Sequence, residues 1–133
     1  MKYKIMIVDD EANIRETISD ILKDNGYDIL VCEDGEEATK KILIEDIDTV
    51  ILDVMLPKKG GMDVLSYIHK DFSLLPVIII SGHGNIKMAV EAMKLGAFDF
   101  IEKPLSVERI LSSVRNAIKL RELQMENITL RSK

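Results

Sequence analysis

Val77-Ile78-Ile79-Ile80 is apolar at every position, and so is Val50-Ile51-Leu52. A strand with one wet face alternates apolar and polar residues, whereas runs like these are covered on both sides, as in a parallel sheet between helices. Working outward, short β-rich runs recur at 3–8, 27–32, 49–52, 76–80 and 98–101. Helical spacing fills the gaps. Ile14, Ile18, Ile21 and Leu22 fall at i, i+4, i+7 and i+8. Ala38 with Ile42, then Leu65 with Ile68, mark the second and third helices. Ile86, Ala89, Val90 and Met93 predict a fourth, stopped by Gly96, and Ile110, Val114 and Ile118 a fifth.

Five βα units with right-handed crossovers give an α/β fold, a (βα)5 doubly wound parallel sheet in the flavodoxin-like order 2-1-3-4-5. A barrel would need eight units. The 133 residues suit one domain, and 47% apolar with 31% charged residues is an ordinary globular composition. No apolar run approaches the ~20 residues of a membrane helix. Asp9, Asp10 and Glu11 follow the first run at once, where a secretory signal would need a longer apolar stretch. Cys32 is the one cysteine, so no intramolecular disulfide forms. A cytoplasmic protein with no membrane partner is expected.

Charge is uneven. Residues 103–133 hold 7 basic and 3 acidic side chains, net +4, which leaves −9 on the first 102 residues. An acidic body repels nucleic acid and attracts divalent cations.

In this topology ligands sit beyond the carboxyl ends of the strands where the winding reverses, between strands one and three. Asp9, Asp10 and Glu11 follow strand one, and Asp53 ends strand three. Converging carboxylates repel unless a cation lies among them, and an oxygen-only set favours Mg²⁺ over Zn²⁺. Acids also suit a helix start. Asp53 has no such job at a strand end. Ser81-Gly82-His83-Gly84 ends strand four and Lys103-Pro104 follows strand five, at the same edge. A hydroxyl and an ammonium there suit a phosphoryl group carried on an aspartate. No glycine-rich nucleotide loop is present.

The set Asp9-Asp10, Asp53, Ser81 and Lys103-Pro104, with Pro57 and Gly61, resembles the receiver domain of two-component response regulators. The likeness covers nearly the whole chain. The run from Ser81 to Asn85, Ala89, and Gly96-Ala97-Phe98-Asp99-Phe100-Ile101-Glu102-Lys103-Pro104 is similar to the NtrC/NtrX-like, sigma-54-dependent transcriptional activators. Those carry AAA+ and DNA-binding domains after the receiver, and DNA contact would come only through such an output domain.

The resemblance implies that Asp53 is the phosphoacceptor, charged by the phosphohistidine of a sensor histidine kinase. It implies Mg²⁺ on Asp10 and Asp53 directly, on Asp9 through water, and on the Met55 carbonyl. Ser81, Gly82 and Lys103 would hold the phosphoryl group, and Ser81 with Phe100 would form the switch pair. The chemistry would be self-phosphorylation and self-dephosphorylation only, so no enzyme is expected. Lys103–Pro104 is a candidate cis peptide. His83 is read as a loop residue tuning access to the phosphoryl group, His69 as solvated, and Cys32 as a small core residue.

Residues 1–120 form the receiver in this reading, and 121–133 begin a linker helix. Leu120, Leu123, Asn127 and Leu130 step by 3, 4 and 3, a short coiled-coil seam or a frayed tail. A homodimer is expected through the face of helix four and strand five together with this terminal helix. Two alternatives stand: a free chemotaxis-type receiver acting by docking, and a haloacid-dehalogenase-like phosphatase. The latter family wants Asp-x-Asp after strand one, where this chain has adjacent acids.

Overall fold

Apolar runs too short for helices and apolar on both sides have one stable arrangement, a sheet between two helical layers. The computed structural model has that arrangement, and it describes residues 2–56, 60–82 and 86–131, with side chains to residue 127. The elements are β1 (Lys4–Val8), α1 (Ala12–Asp24), β2 (Asp28–Cys32), α2 (Gly35–Ile42), β3 (Thr49–Asp53), α3 (Gly61–Asp71), β4 (Val77–Ser81), α4 (Ile86–Lys94), β5 (Asp99–Glu102) and α5 (Val107–Arg131). All strand pairs are parallel, in the order β2-β1-β3-β4-β5.

Strand residues alternate between two cores. Met6, Val8, Val50, Leu52, Val77 and Ile79 meet Ala38, Ile42, Val64, Leu65, Ile68 and Ala92 of α2, α3 and α4. Ile5, Ile7, Ile51, Ile78 and Ile80 meet Ile18 and Leu22 of α1 and Ile110, Val114 and Ile118 of α5. Cys32 is buried in the first core, and burial pushes its thiol up to about 12.

Helix α4 exists and stops at Gly96, whose φ of +103° suits glycine. Its buried face is not the one the spacing predicts. Ile86, Val90 and Met93 are exposed, Ala92 is buried, and Met88 and Leu95 pack on the core. Met88, Ala92 and Leu95 fall at i, i+4 and i+7, as do Ile86, Val90 and Met93. A helix with two apolar stripes gives periodicity no face to choose. The sheet admits the smaller one.

Helix α5 shows no change at residue 120. Arg121 Nη1 donates to Asp48 Oδ1 at 2.6 Å, and the Tyr3 hydroxyl donates to Glu122 Oε2 at 2.6 Å. Asp48 Oδ2 in turn accepts the Lys4 amide at 2.9 Å. Leu120 and Leu123 are exposed, while the Leu130 side chain lies outside the described residues. His69 is exposed but lies against Gly96, where a β-carbon would collide with its ring.

Candidate functional site

β1 and β3 are neighbours, with Val8 opposite Leu52, so the residues that follow them converge. Asp9 is fully buried and Asp53 nearly so. Asp10 is exposed. One carboxylate oxygen from each of Asp9, Asp10 and Asp53 lies within 4.8 Å of the others. β4 lies on the far side of β3, and Asp53 pairs with Ile80, so the next residue, Ser81, stands at the same edge. Lys103 is tied there by its amide, which donates to the Ser81 carbonyl at 2.8 Å, and the Lys103–Pro104 bond is cis.

Each acid is held by its own loop. Asp9 Oδ1 accepts the Glu11 amide at 2.8 Å, and Asp53 Oδ1 accepts the Met55 amide at 3.0 Å. Glu11 occupies the N-cap of α1 without a side-chain cap bond, and the first turn of α1 has no acid. Asp53, at the end of β3, has no helix start to serve. The outer oxygens point at one cation: Lys103 Nζ lies 3.7 Å from Asp53 Oδ2 and 3.8 Å from Asp9 Oδ2. Burial, opposed by the Glu11 amide and increased by the Asp53 charge, raises the Asp9 carboxyl to about 6.

Besides Arg121 Nε, far from this edge, two buried side-chain atoms have no hydrogen-bond partner among the described residues: Asp9 Oδ2 and Ser81 Oγ. Buried polar groups are nearly always satisfied, so each marks room for something else. An acceptor for the ammonium and the hydroxyl, and a cation for the carboxylates, would satisfy the set. Phe100 is half-buried and packs on the core below α4. Gly82 is exposed with open space around it. Pro57 and His83 lie outside the described residues.

Gly61 gains a physical role. A β-carbon there would press on the Asp53 carbonyl and come within 2.6 Å of Val54 Cα, so α3 can start only this close to β3 without a side chain. Sequence reasoning missed two arginines. Arg15 Nη1 donates to the Asp9 carbonyl at 2.7 Å, and Arg109 forks onto Asp99. Both join different elements, so no spacing announces them.

Residues 5–115 match the response regulator receiver domain. The chain belongs to this family. This receiver domain is 42% identical, over 97% of its length, to the putative response regulator NtrX-like of Rickettsia bellii, covering 27% of that protein. It is 34% identical, over 96% of its length, to the C4-dicarboxylate transport transcriptional regulatory protein DctD of Pseudomonas aeruginosa, covering 28% of it. The crystal structure of the receiver domain of NtrX from Brucella abortus superposes with a TM-score of 0.84 at 38% identity, covering 86% of this chain and 98% of that one. The chain thus spans little more than a quarter of either of these two relatives. These similarities are consistent with a receiver of the NtrC/NtrX type. Among the described residues no helix is long and apolar enough to cross a membrane.

Proposed function

We propose that Asp53 is the phosphoacceptor of a phosphorylation-driven switch, supplied by a sensor histidine kinase. The observation that carries this reading is the buried Asp53 carboxylate, with Lys103 at 3.7 Å, at the edge where Ser81 Oγ is buried without a partner. A carboxylate oxygen of Asp53 forms the new O–P bond as the N–P bond of phosphohistidine breaks. The electron pair leaves with the imidazole, which takes up a proton. Lys103 and the Ser81 hydroxyl then meet the phosphoryl oxygens, with Gly82 leaving space beside them.

The donor set fits Mg²⁺, a hard cation that prefers oxygen ligands. Asp10, Asp53 and the Met55 carbonyl would hold it directly and Asp9 through water. When bound it neutralises charge on the transferring group. The chain's own chemistry is limited to gaining and losing this phosphoryl group, so it turns over no external substrate.

Occupation of the site draws Ser81 toward the phosphoryl group and lets Phe100 turn inward, which alters the face of α4 and β5. Such a switch is a two-state equilibrium biased by local charge. Exposed Ile86, Val90 and Met93 on α4, and Leu120 and Leu123 on α5, support a homodimer through these surfaces. The relatives extend far beyond this length, and one is named a transcriptional regulatory protein. That supports control of a transcriptional output; in this reading the output is of the sigma-54-dependent AAA+ type, it alone touches DNA, and the protein works in the cytoplasm.

Mass measurement after incubation with a small phosphodonor and Mg²⁺ tests the assignment. One phosphoryl mass is expected on the wild type and none on Asp53→Asn. Equal labelling of the variant overturns it.

A further inference from the structure

Asp99 and Phe100 are consecutive in β5, and one side chain of α5 holds both. Arg109 Nη1 donates to Asp99 Oδ2 at 2.6 Å and Nη2 to Asp99 Oδ1 at 2.9 Å. Nη2 also donates to the Phe100 carbonyl at 3.0 Å. The Phe100 amide donates to Asp99 Oδ1 at 2.8 Å, and the buried Ser113 hydroxyl to Asp99 Oδ2 at 2.7 Å. Both backbone polar groups of Phe100 are therefore gripped by one network anchored on α5. A forked arginine–carboxylate pair fixes orientation as well as distance, which a lysine cannot do. The Asp99 carboxyl is correspondingly held down to about 2, by Arg109 first, with Ser113 and the Phe100 amide adding, against the effect of burial.

The Phe100 ring, by contrast, is only half-buried, and no hydroxyl ties it down. Its backbone is fixed and its ring is loose. A side chain that must occupy one of two positions needs that combination, because a backbone that drifts blurs two states into a continuum.

We propose that Arg109 is a positioning residue for the switch: by clamping Asp99 and the Phe100 carbonyl to α5, it confines Phe100 to two discrete ring positions. The same clamp links β5 to the helix that leads out of the domain. The proposal rests on the reading of Ser81 and Phe100 as the switch pair.

The chain has three phenylalanines, Phe72, Phe98 and Phe100, so fluorophenylalanine labelling gives three fluorine resonances, and Phe100→Leu assigns one. Spectra are compared for the full chain, Arg109→Ala and Arg109→Lys, before and after phosphodonor with Mg²⁺. Wild-type Phe100 is expected to move to a second position. In Arg109→Ala the line is broadened before phosphorylation and its displacement falls several-fold, while Phe72 is unchanged and the phosphoryl mass gain persists. Arg109→Lys recovers melting temperature but not the displacement, a split that a purely structural strut would not show. It carries the test alone if Arg109→Ala fails to fold. Displacement equal to wild type in either variant overturns the role of Arg109. A wild-type line that stays put while the mass increases overturns the switch-pair reading itself, and this inference with it.

Discussion

Lys103 Nζ stands 3.7 Å from Asp53 Oδ2 and 3.8 Å from Asp9 Oδ2. Both distances exceed a hydrogen bond, so the ammonium is shared between two carboxylates as a point charge and bonded to neither. Among the described residues its donors remain unspent for an incoming anion.

This arrangement makes Lys103 and Mg²⁺ interchangeable in one respect, since each relieves repulsion among the same acids. Lys103→Ala is expected to lower metal-free stability by about 1–2 kcal/mol, the scale of leaving buried charge uncompensated with some water access. Added Mg²⁺ should narrow that gap. Thermal melts with and without Mg²⁺ provide the check. A gap that is independent of the metal would mean that Lys103 stabilises through packing of its stem.

Gly61 supplies a second prediction, from backbone geometry. A methyl group there meets the Asp53 carbonyl and Val54 Cα, neither of which can swing away as a flexible side chain would. Gly61→Ala should cost about 2–4 kcal/mol, in the range of overpacking a core. Chemical denaturation would read the loss. A variant as stable as wild type would show that the start of α3 can retreat from β3 at little cost.

A third prediction concerns acid. The folded Asp99 carboxyl titrates near 2, below the usual 3.8. Between those values the unfolded chain holds the proton and the folded chain does not, so the pair's contribution is present above about pH 4 and fades toward pH 2. Arg109 is 44% exposed, which screens the pair, so about 1 kcal/mol is expected rather than the full shift. The Asp9 carboxyl is raised to about 6, so its contribution runs the other way between about pH 4 and 6. The clean observable is therefore a difference, wild type minus Asp99→Asn. It should be largest above pH 4 and shrink as pH falls to 2. A constant difference would contradict the pairing.

The strand runs and the residues just past them were legible because a parallel sheet turns position along the chain into position in space. Val8 to Asp9, Leu52 to Asp53 and Ile80 to Ser81 each step off the same edge, so topology alone gathers the acids and the hydroxyl. Helix α4 was legible as a helix but not as a surface. Its two apolar stripes satisfy the same spacing, and the choice between them is made by the sheet it meets. The arginine clamps were not legible at all. Arg15 reaches the Asp9 carbonyl, and Arg109 reaches Asp99 from another element. Such contacts depend on distance in the fold and leave no period in the sequence.

The exposed stripe on α4 and the leucines of α5 bear on assembly. Leu120 and Leu123 lie beyond the α5 residues already buried, and Ile86, Val90 and Met93 lie uncovered on α4. Apolar surface of this kind is commonly matched by a second copy across a twofold axis. The patches are small, so association should be weak, micromolar or poorer, about 8 kcal/mol or less. Cutting the chain back to the core would confuse the test. Arg121 and Glu122 bind Asp48 and Tyr3, and their loss would disturb the body of the domain. A point change avoids this: Leu123→Glu on α5 and Val90→Glu on α4 each place a charge on exposed surface. Sedimentation at increasing concentration, with and without phosphodonor and Mg²⁺, should show wild type associating more strongly when phosphorylated and both variants less so. If wild type stays monomeric in both states at high concentration, these faces serve some other contact and the homodimer is ruled out for this chain.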